Sequence, residues 1–118
     1  MGLSHSPSLV LSGLTLCLDA ANTKSYVGSG TTWTDLSGNS NTGTLTNGPT
    51  YSSANGGSIV FDGTNDYATI SFNSVFNVTS NPFTVIVWNK KNTSSNGYNG
   101  LITADAAGDD TWKIYKDN

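Results

Sequence analysis

The stretch Gly57-Ser58-Ile59-Val60-Phe61-Asp62-Gly63-Thr64-Asn65-Asp66-Tyr67-Ala68-Thr69-Ile70 constrains what this chain can fold into more than any other segment. Two apolar runs flank a polar turn. Ile59 and Phe61 fall on one face of the first run, and Ala68, Ile70 and Phe72 on one face of the second. A period of two is the signature of a half-buried strand. Asp62-Gly63-Thr64-Asn65-Asp66 supplies the Gly, Asn and Asp that a chain reversal needs. The stretch therefore predicts a β-hairpin with one apolar face. A lone hairpin is not stable in water, so a wider sheet and a second layer are implied.

The rest of the chain reads in the same key. Leu14, Leu16 and Leu18 alternate with Thr15, Cys17 and Asp19, predicting a strand over Leu14–Asp19. Thr44-Leu45-Thr46 predicts a brief strand stopped by Asn47-Gly48-Pro49, and Tyr51 opens another. Asn73 to Pro82 has room for one helical turn. Phe83-Thr84-Val85-Ile86-Val87-Trp88 is apolar on both faces, which predicts a central strand covered on both sides. Tyr98–Ala104 and Thr111–Lys116 predict a second hairpin. Short strands at close spacing, with no periodic helix, predict an all-β antiparallel sandwich. Residues 1–13, with Pro7 among polar neighbours, read as an N-terminal arm, and residues 14–118 as the sandwich.

Composition narrows the chemistry. All five basic residues are Lys and all eight acidic residues are Asp; there is no Arg, Glu or Gln. The missing residues are good helix formers. Without Arg there is no bidentate reader of phosphate or guanine. With a net charge of −3 and scattered Lys, no nucleic-acid partner is expected. No apolar run approaches the length of a membrane span. The single Cys, Cys17, cannot form an internal disulfide and reads as a packed thiol. The only His, His5, lies in the arm, which speaks against a Ser-His-Asp triad. A non-enzymatic structural or interaction module follows.

Four motifs in order carry a resemblance. They are Leu16-Cys17-Leu18-Asp19-Ala20, the loop from Trp33 to Leu45, Ile59 to Tyr67, and Pro82 to Trp88. Together they resemble the laminin-G-like branch of the concanavalin A-like lectin/glucanase superfamily, of the kind found in bacteriophage virion proteins. The resemblance implies a jelly roll of which this chain spans the first half. It implies a virion surface protein, a capsid decoration or tail-fibre component, docked on neighbouring virion subunits through the arm and oligomeric there. A secreted bacterial adhesin or polysaccharide-binding module is the alternative. The glucanases of that superfamily use paired glutamates, which this chain lacks, so hydrolase activity does not carry over.

Two kinds of site are candidates. Laminin-G-like domains often bind calcium at the rim, and Asp62, Asn65 and Asp66 share one turn. Calcium takes six to eight oxygen ligands. The same three residues shape ordinary reversals by side-chain-to-backbone bonds, and that role has the stronger claim. Surface glycans are the second candidate ligand. A sugar needs an exposed aromatic face and polar groups for its hydroxyls; Tyr98, Trp33 and Tyr26 lie near loops, with Tyr98 between Gly97 and Asn99 the best placed.

Overall fold

A computed structural model describes residues 10–71, 73–76, 82–90, 100–106 and 109–115; in the last two stretches only the backbone is described. The fold is all-β and antiparallel, as the alternation and turn chemistry predict. Among the described residues seven strands occur in chain order: β1 (Thr32–Trp33), β2 (Gly43–Thr46), β3 (Thr50–Ser52), β4 (Ser58–Val60), β5 (Tyr67–Ile70), β6 (Gly100–Ala106) and β7 (Asp109–Tyr115). They form a three-stranded sheet β1-β2-β5, a pair β3-β4 and a pair β6-β7. Single 3₁₀ turns at Ala54–Gly56 and Ser74–Phe76 punctuate the chain, the second where one helical turn is expected.

The predicted hairpin is not a hairpin. β4 and β5 flank the turn, yet neither pairs with the other. β4 pairs with β3, Tyr51 opposite Ile59, and β5 pairs with β2, Leu45 opposite Ala68. The reason lies in two reversals acting together. Asn47 (φ 67°) and Gly48 (φ 98°) both adopt the left-handed conformation, which Asn and Gly tolerate best. They turn the chain out of the three-stranded sheet into the β3-β4 pair. Residues 61–66 bring it back. The two crossings are tied by a hydrogen bond from Asn47 Nδ2 to the Asn65 carbonyl at 2.6 Å. Period-two alternation identifies strands but not their partners, so the pairing was open to this exchange.

Tyr51 is the hinge of the packing around β3 and β4. Its ring lies 5.7 Å from that of Tyr26, tilted by 47°. Gly57 (φ 128°) lets the β3-β4 connection approach Ala20 and Ala21: a Cβ there would stand 2.9 Å from both the Ala20 carbonyl oxygen and the Ala21 Cα. Leu45 and Tyr26 are the buried apolar side chains among the described residues, each 3% exposed.

Two further expectations fail. Leu14–Asp19 forms no strand. All of Leu14 to Leu18 is half-buried, so no clean inner and outer face exists, and its backbone groups are met by the side chains of Asp35, Asn39 and Asn41 and by the Leu36 N–H on the Cys17 carbonyl, with no strand ladder. Phe83–Trp88 is likewise no central strand: residues 82–90 are exposed and irregular, Trp88 being 94% exposed. A run apolar on both faces needs cover on both, and the described residues leave it open. The sandwich is incomplete in this sense. The predicted second hairpin is present as β6-β7. Its strands run on so that Asp105 faces Asp110 and Ala106 faces Asp109.

Candidate functional site

The most ordered polar assembly centres on Asp35, which follows β1. Its carboxylate accepts four hydrogen bonds. Oδ1 receives the backbone N–H of Cys17 at 2.9 Å and of Ser37 at 2.8 Å; Oδ2 receives the Ser37 hydroxyl at 2.7 Å and the Asn41 N–H at 3.0 Å. The Ser37 hydroxyl has one proton, and the charged carboxylate is its better acceptor. Ser37 Oγ in turn accepts from Asn39 Nδ2 at 3.0 Å. Asn39 Nδ2 also reaches the Leu14 carbonyl at 2.8 Å, and Asn41 Nδ2 the Thr15 carbonyl at 2.9 Å. Asn73 Nδ2 donates to Asn41 Oδ1 at 3.2 Å. Asp35, Ser37 and Asn41 are all buried. A second clasp lies beside this knot: buried Ser25 donates from Oγ to the Thr34 carbonyl at 2.6 Å and accepts the Asp19 N–H at 3.1 Å.

The electrostatics follow from these bonds. Burial pushes the Asp35 carboxyl up, but the Ser37 hydroxyl and the N–H groups of Cys17, Ser37 and Asn41 outweigh it and hold the pKa below its ordinary 3.8. Burial, with the Asp19 and Asp35 carboxylates, pushes the Cys17 thiol up, away from a reactive thiolate. Every Asp35 oxygen is spoken for, so the knot organises the chain and offers no open acid or base.

The second polar assembly is the corner formed by the two crossings. Asp62 Oδ1 accepts the N–H groups of Thr64 at 2.8 Å and Asn65 at 3.3 Å, and Asp66 Oδ2 accepts the Asp62 N–H at 3.0 Å. The bond from the Thr64 N–H is the leading cause that holds the Asp62 carboxyl below its ordinary value. Asp62, Asn65 and Asp66 do share one turn, but one oxygen of each carboxylate faces backbone N–H donors. Among the described residues no group of three or more His, Cys, Asp or Glu is placed to hold a metal ion.

The aromatic candidates are scattered. Tyr26 is buried, its hydroxyl donating to the Gly30 carbonyl at 2.8 Å, so its ring has no face open to a sugar. Trp33 is half-buried in β1, its indole nitrogen enclosed and without an acceptor. Tyr98 lies outside the described residues, as do His5 and residues 1–9 of the arm. The composition of residues 37–43 is that of a plain turn run, which conceals the knot. The signal was present: Asp35, Ser37, Asn39 and Asn41 place short polar side chains at every second position, each able to cap a backbone N–H two residues on. Phe61 and Tyr67, at the two ends of the corner, are 43% and 48% exposed.

Residues 30–118 match the family described as Clostridium neurotoxin, N-terminal receptor binding. No curated protein and no solved structure matches the chain. The family match overturns the laminin-G-like, bacteriophage reading, and with it the virion location, the capsid or fibre role and the docking on virion subunits. The physical reason is visible in the motifs that carried the resemblance. Asp62 to Asp66 is a reversal that any β fold can use, Leu16–Asp19 is not a strand, and Pro82–Trp88 is not a central strand. Since the match covers most of its length, this chain belongs to the Clostridium neurotoxin N-terminal receptor-binding family.

Proposed function

We propose that this chain is a non-enzymatic recognition module of a secreted bacterial protein, one that attaches to a receptor on a cell surface, with surface glycans as the receptor class. The family match over residues 30–118 carries this reading. The secreted binding module, the alternative to the virion role at the level of sequence, is thereby the better account. The chemistry of the described residues is compatible with it. Asp35 is saturated by donors, and Asp62 and Asp66 serve a turn. These bonds give each carboxylate a structural role.

The test is binding of the fluorescently labelled chain to intact cells, before and after glycosidase or protease treatment. Saturable binding that falls after glycosidase treatment is the expected result. Non-saturable binding, or none, overturns the reading.

A further inference from the structure

We propose that Asn55 is a site of spontaneous modification: in the folded chain it loses ammonia to the Gly56 backbone nitrogen and becomes an isoaspartyl or aspartyl residue, while Asn47, which also precedes a glycine, is protected.

Asn is among the thermolabile residues, and a following Gly puts no side chain beside the attacking nitrogen. Asn47-Gly48 and Asn55-Gly56 are such pairs among the described residues. The chemistry needs only water and base. The Gly56 nitrogen gives its proton to hydroxide and forms a bond to Asn55 Cγ. The bond from Cγ to Nδ2 breaks, and the amide nitrogen takes a proton from water and leaves as ammonia. Water then opens the cyclic imide. Attack at Cγ leaves aspartate; attack at the main-chain carbonyl leaves isoaspartate, with the chain running through Cγ. The sum is amide plus water to carboxylic acid plus ammonia, with no change of oxidation state.

The structure separates the two pairs. Asn55 is exposed, and its side chain makes no hydrogen bond among the described residues. A Cβ on Gly56 would meet only the Ala21 Cβ, at 3.9 Å, so the surroundings of Gly56 are open. Ring closure needs the backbone of Asn55 to turn until the Gly56 nitrogen meets Cγ. What resists is a single 3₁₀ turn of 3 residues, closed by a Gly57 N–H to Ala54 carbonyl bond of 3.2 Å, at the long end of the usual range. Asn47 is exposed as well, but its amide is held: Nδ2 donates to the Asn65 carbonyl at 2.6 Å. Residues 47–49 alone join Thr46 of β2 to Thr50 of β3, and Pro49 restricts Gly48. That bond has to break and that tight connection has to move before a ring can close at Asn47.

The isoaspartyl product acts on the fold. It adds a main-chain carbon and a carboxylate inside the β3-β4 connection. Gly57, two residues on, has no slack: a Cβ there would stand 2.9 Å from the Ala20 carbonyl oxygen and the Ala21 Cα. The lengthened connection therefore loosens the β3-β4 pair as the protein ages.

The experiment is incubation of the full 118-residue chain at mildly alkaline pH, with timed samples cut by chymotrypsin, whose cleavage after Tyr51 parts Asn47 from Asn55. Mass spectrometry of the peptides follows the exchange of amide for acid at each site. Product at Asn55 should form at least about fivefold faster than at Asn47, the factor that one ordinary hydrogen bond sets on a rate. In urea-unfolded chain the two rates should converge. Equal rates in the folded chain, a faster Asn47, or no product at Asn55 overturns the proposal. A ratio that persists unchanged in urea overturns it too, because the difference would then belong to the local sequence and not to the fold. Amide hydrogen exchange at Thr50–Ser52 and Ser58–Val60 should be faster in the isoaspartyl form, and unchanged exchange overturns the loosening.

Discussion

Between Leu14 and Thr46 most of the buried side chains are polar: Ser25, Asp35, Ser37 and Asn41. Between Pro82 and Lys90 the exposed side chains are mostly apolar, with Phe83, Val85, Ile86, Val87 and Trp88 all open to solvent. The contrast teaches where each kind of order comes from. A polar knot is satisfied by individual directional bonds, some two residues apart and others joining segments 18 to 32 residues apart. An apolar strand is ordered by area, and area has to be supplied by other layers. The first region therefore takes its shape within the chain, while the second shows its need for cover.

The largest expected effect is at the centre of the knot. Asp35→Ala leaves the N–H groups of Cys17, Ser37 and Asn41 without their acceptor. The loss should be about 3–5 kcal/mol, read as a fall in the urea midpoint at unchanged slope. A loss below about 1 kcal/mol, the worth of one ordinary hydrogen bond, would break the contrast by showing that the knot is ornament. Next is Gly57→Ala, which adds a Cβ to a left-handed residue lodged against Ala20 and Ala21. About 2–4 kcal/mol is expected in the same assay, and a neutral result would mean that the β3-β4 connection does not hold this close approach in solution.

Acid gives a smaller and more specific effect. The folded Asp35 carboxyl titrates below its ordinary 3.8, so its contribution is complete above that pH and is lost as pH falls through the folded value. Stability should be flat from neutrality to about pH 4.5 and then fall, and Asp35→Asn should flatten that acid limb. An identical limb in the variant would assign acid sensitivity to other groups. The smallest effect belongs to the apolar run. Trp88→Ser should change stability by no more than about 0.5 kcal/mol, yet reduce binding of an apolar fluorescent dye. A cost above about 2 kcal/mol would place Trp88 in a core and erase the difference between the two regions.

Much of the strand content was legible in the sequence. Thr44-Leu45-Thr46, Tyr51, Ile59 and Ala68 to Ile70 all lie in or beside strands where alternation and turn residues put them. Partner choice was not legible, because Ile59 pairs as readily with Tyr51 as with anything across the Asp62–Asp66 turn, and alternation is silent on which. Nor was the fate of Leu14–Asp19, whose carbonyl and N–H groups are taken by Asp35, Asn39 and Asn41. Side chains from a loop 18 to 26 residues further on take these groups where a neighbouring strand's ladder is expected. At the corner, the turn chemistry of Asp62 and Asp66 was readable, while the exposure of Phe61 and Tyr67 was not, since both occupy inward-looking or strand-edge positions in the pattern.

The nesting of the β3-β4 pair inside the β2-β5 pair has a kinetic consequence. Joining Thr46 to Tyr67 directly would require residues 47–66 to close as one floppy loop. Once Thr50–Ser52 has zipped onto Ser58–Val60, the span left to order shrinks to residues 47–49 and 61–66. Each halving of a loop saves about 0.6 kcal/mol of closure entropy. Folding should therefore run from the inside outward, the inner pair acting as a clasp that delivers the outer strands to one another. Mutational φ-values high in β3 and β4 and low in β2 and β5 would record that order, and the reverse ranking would refute it.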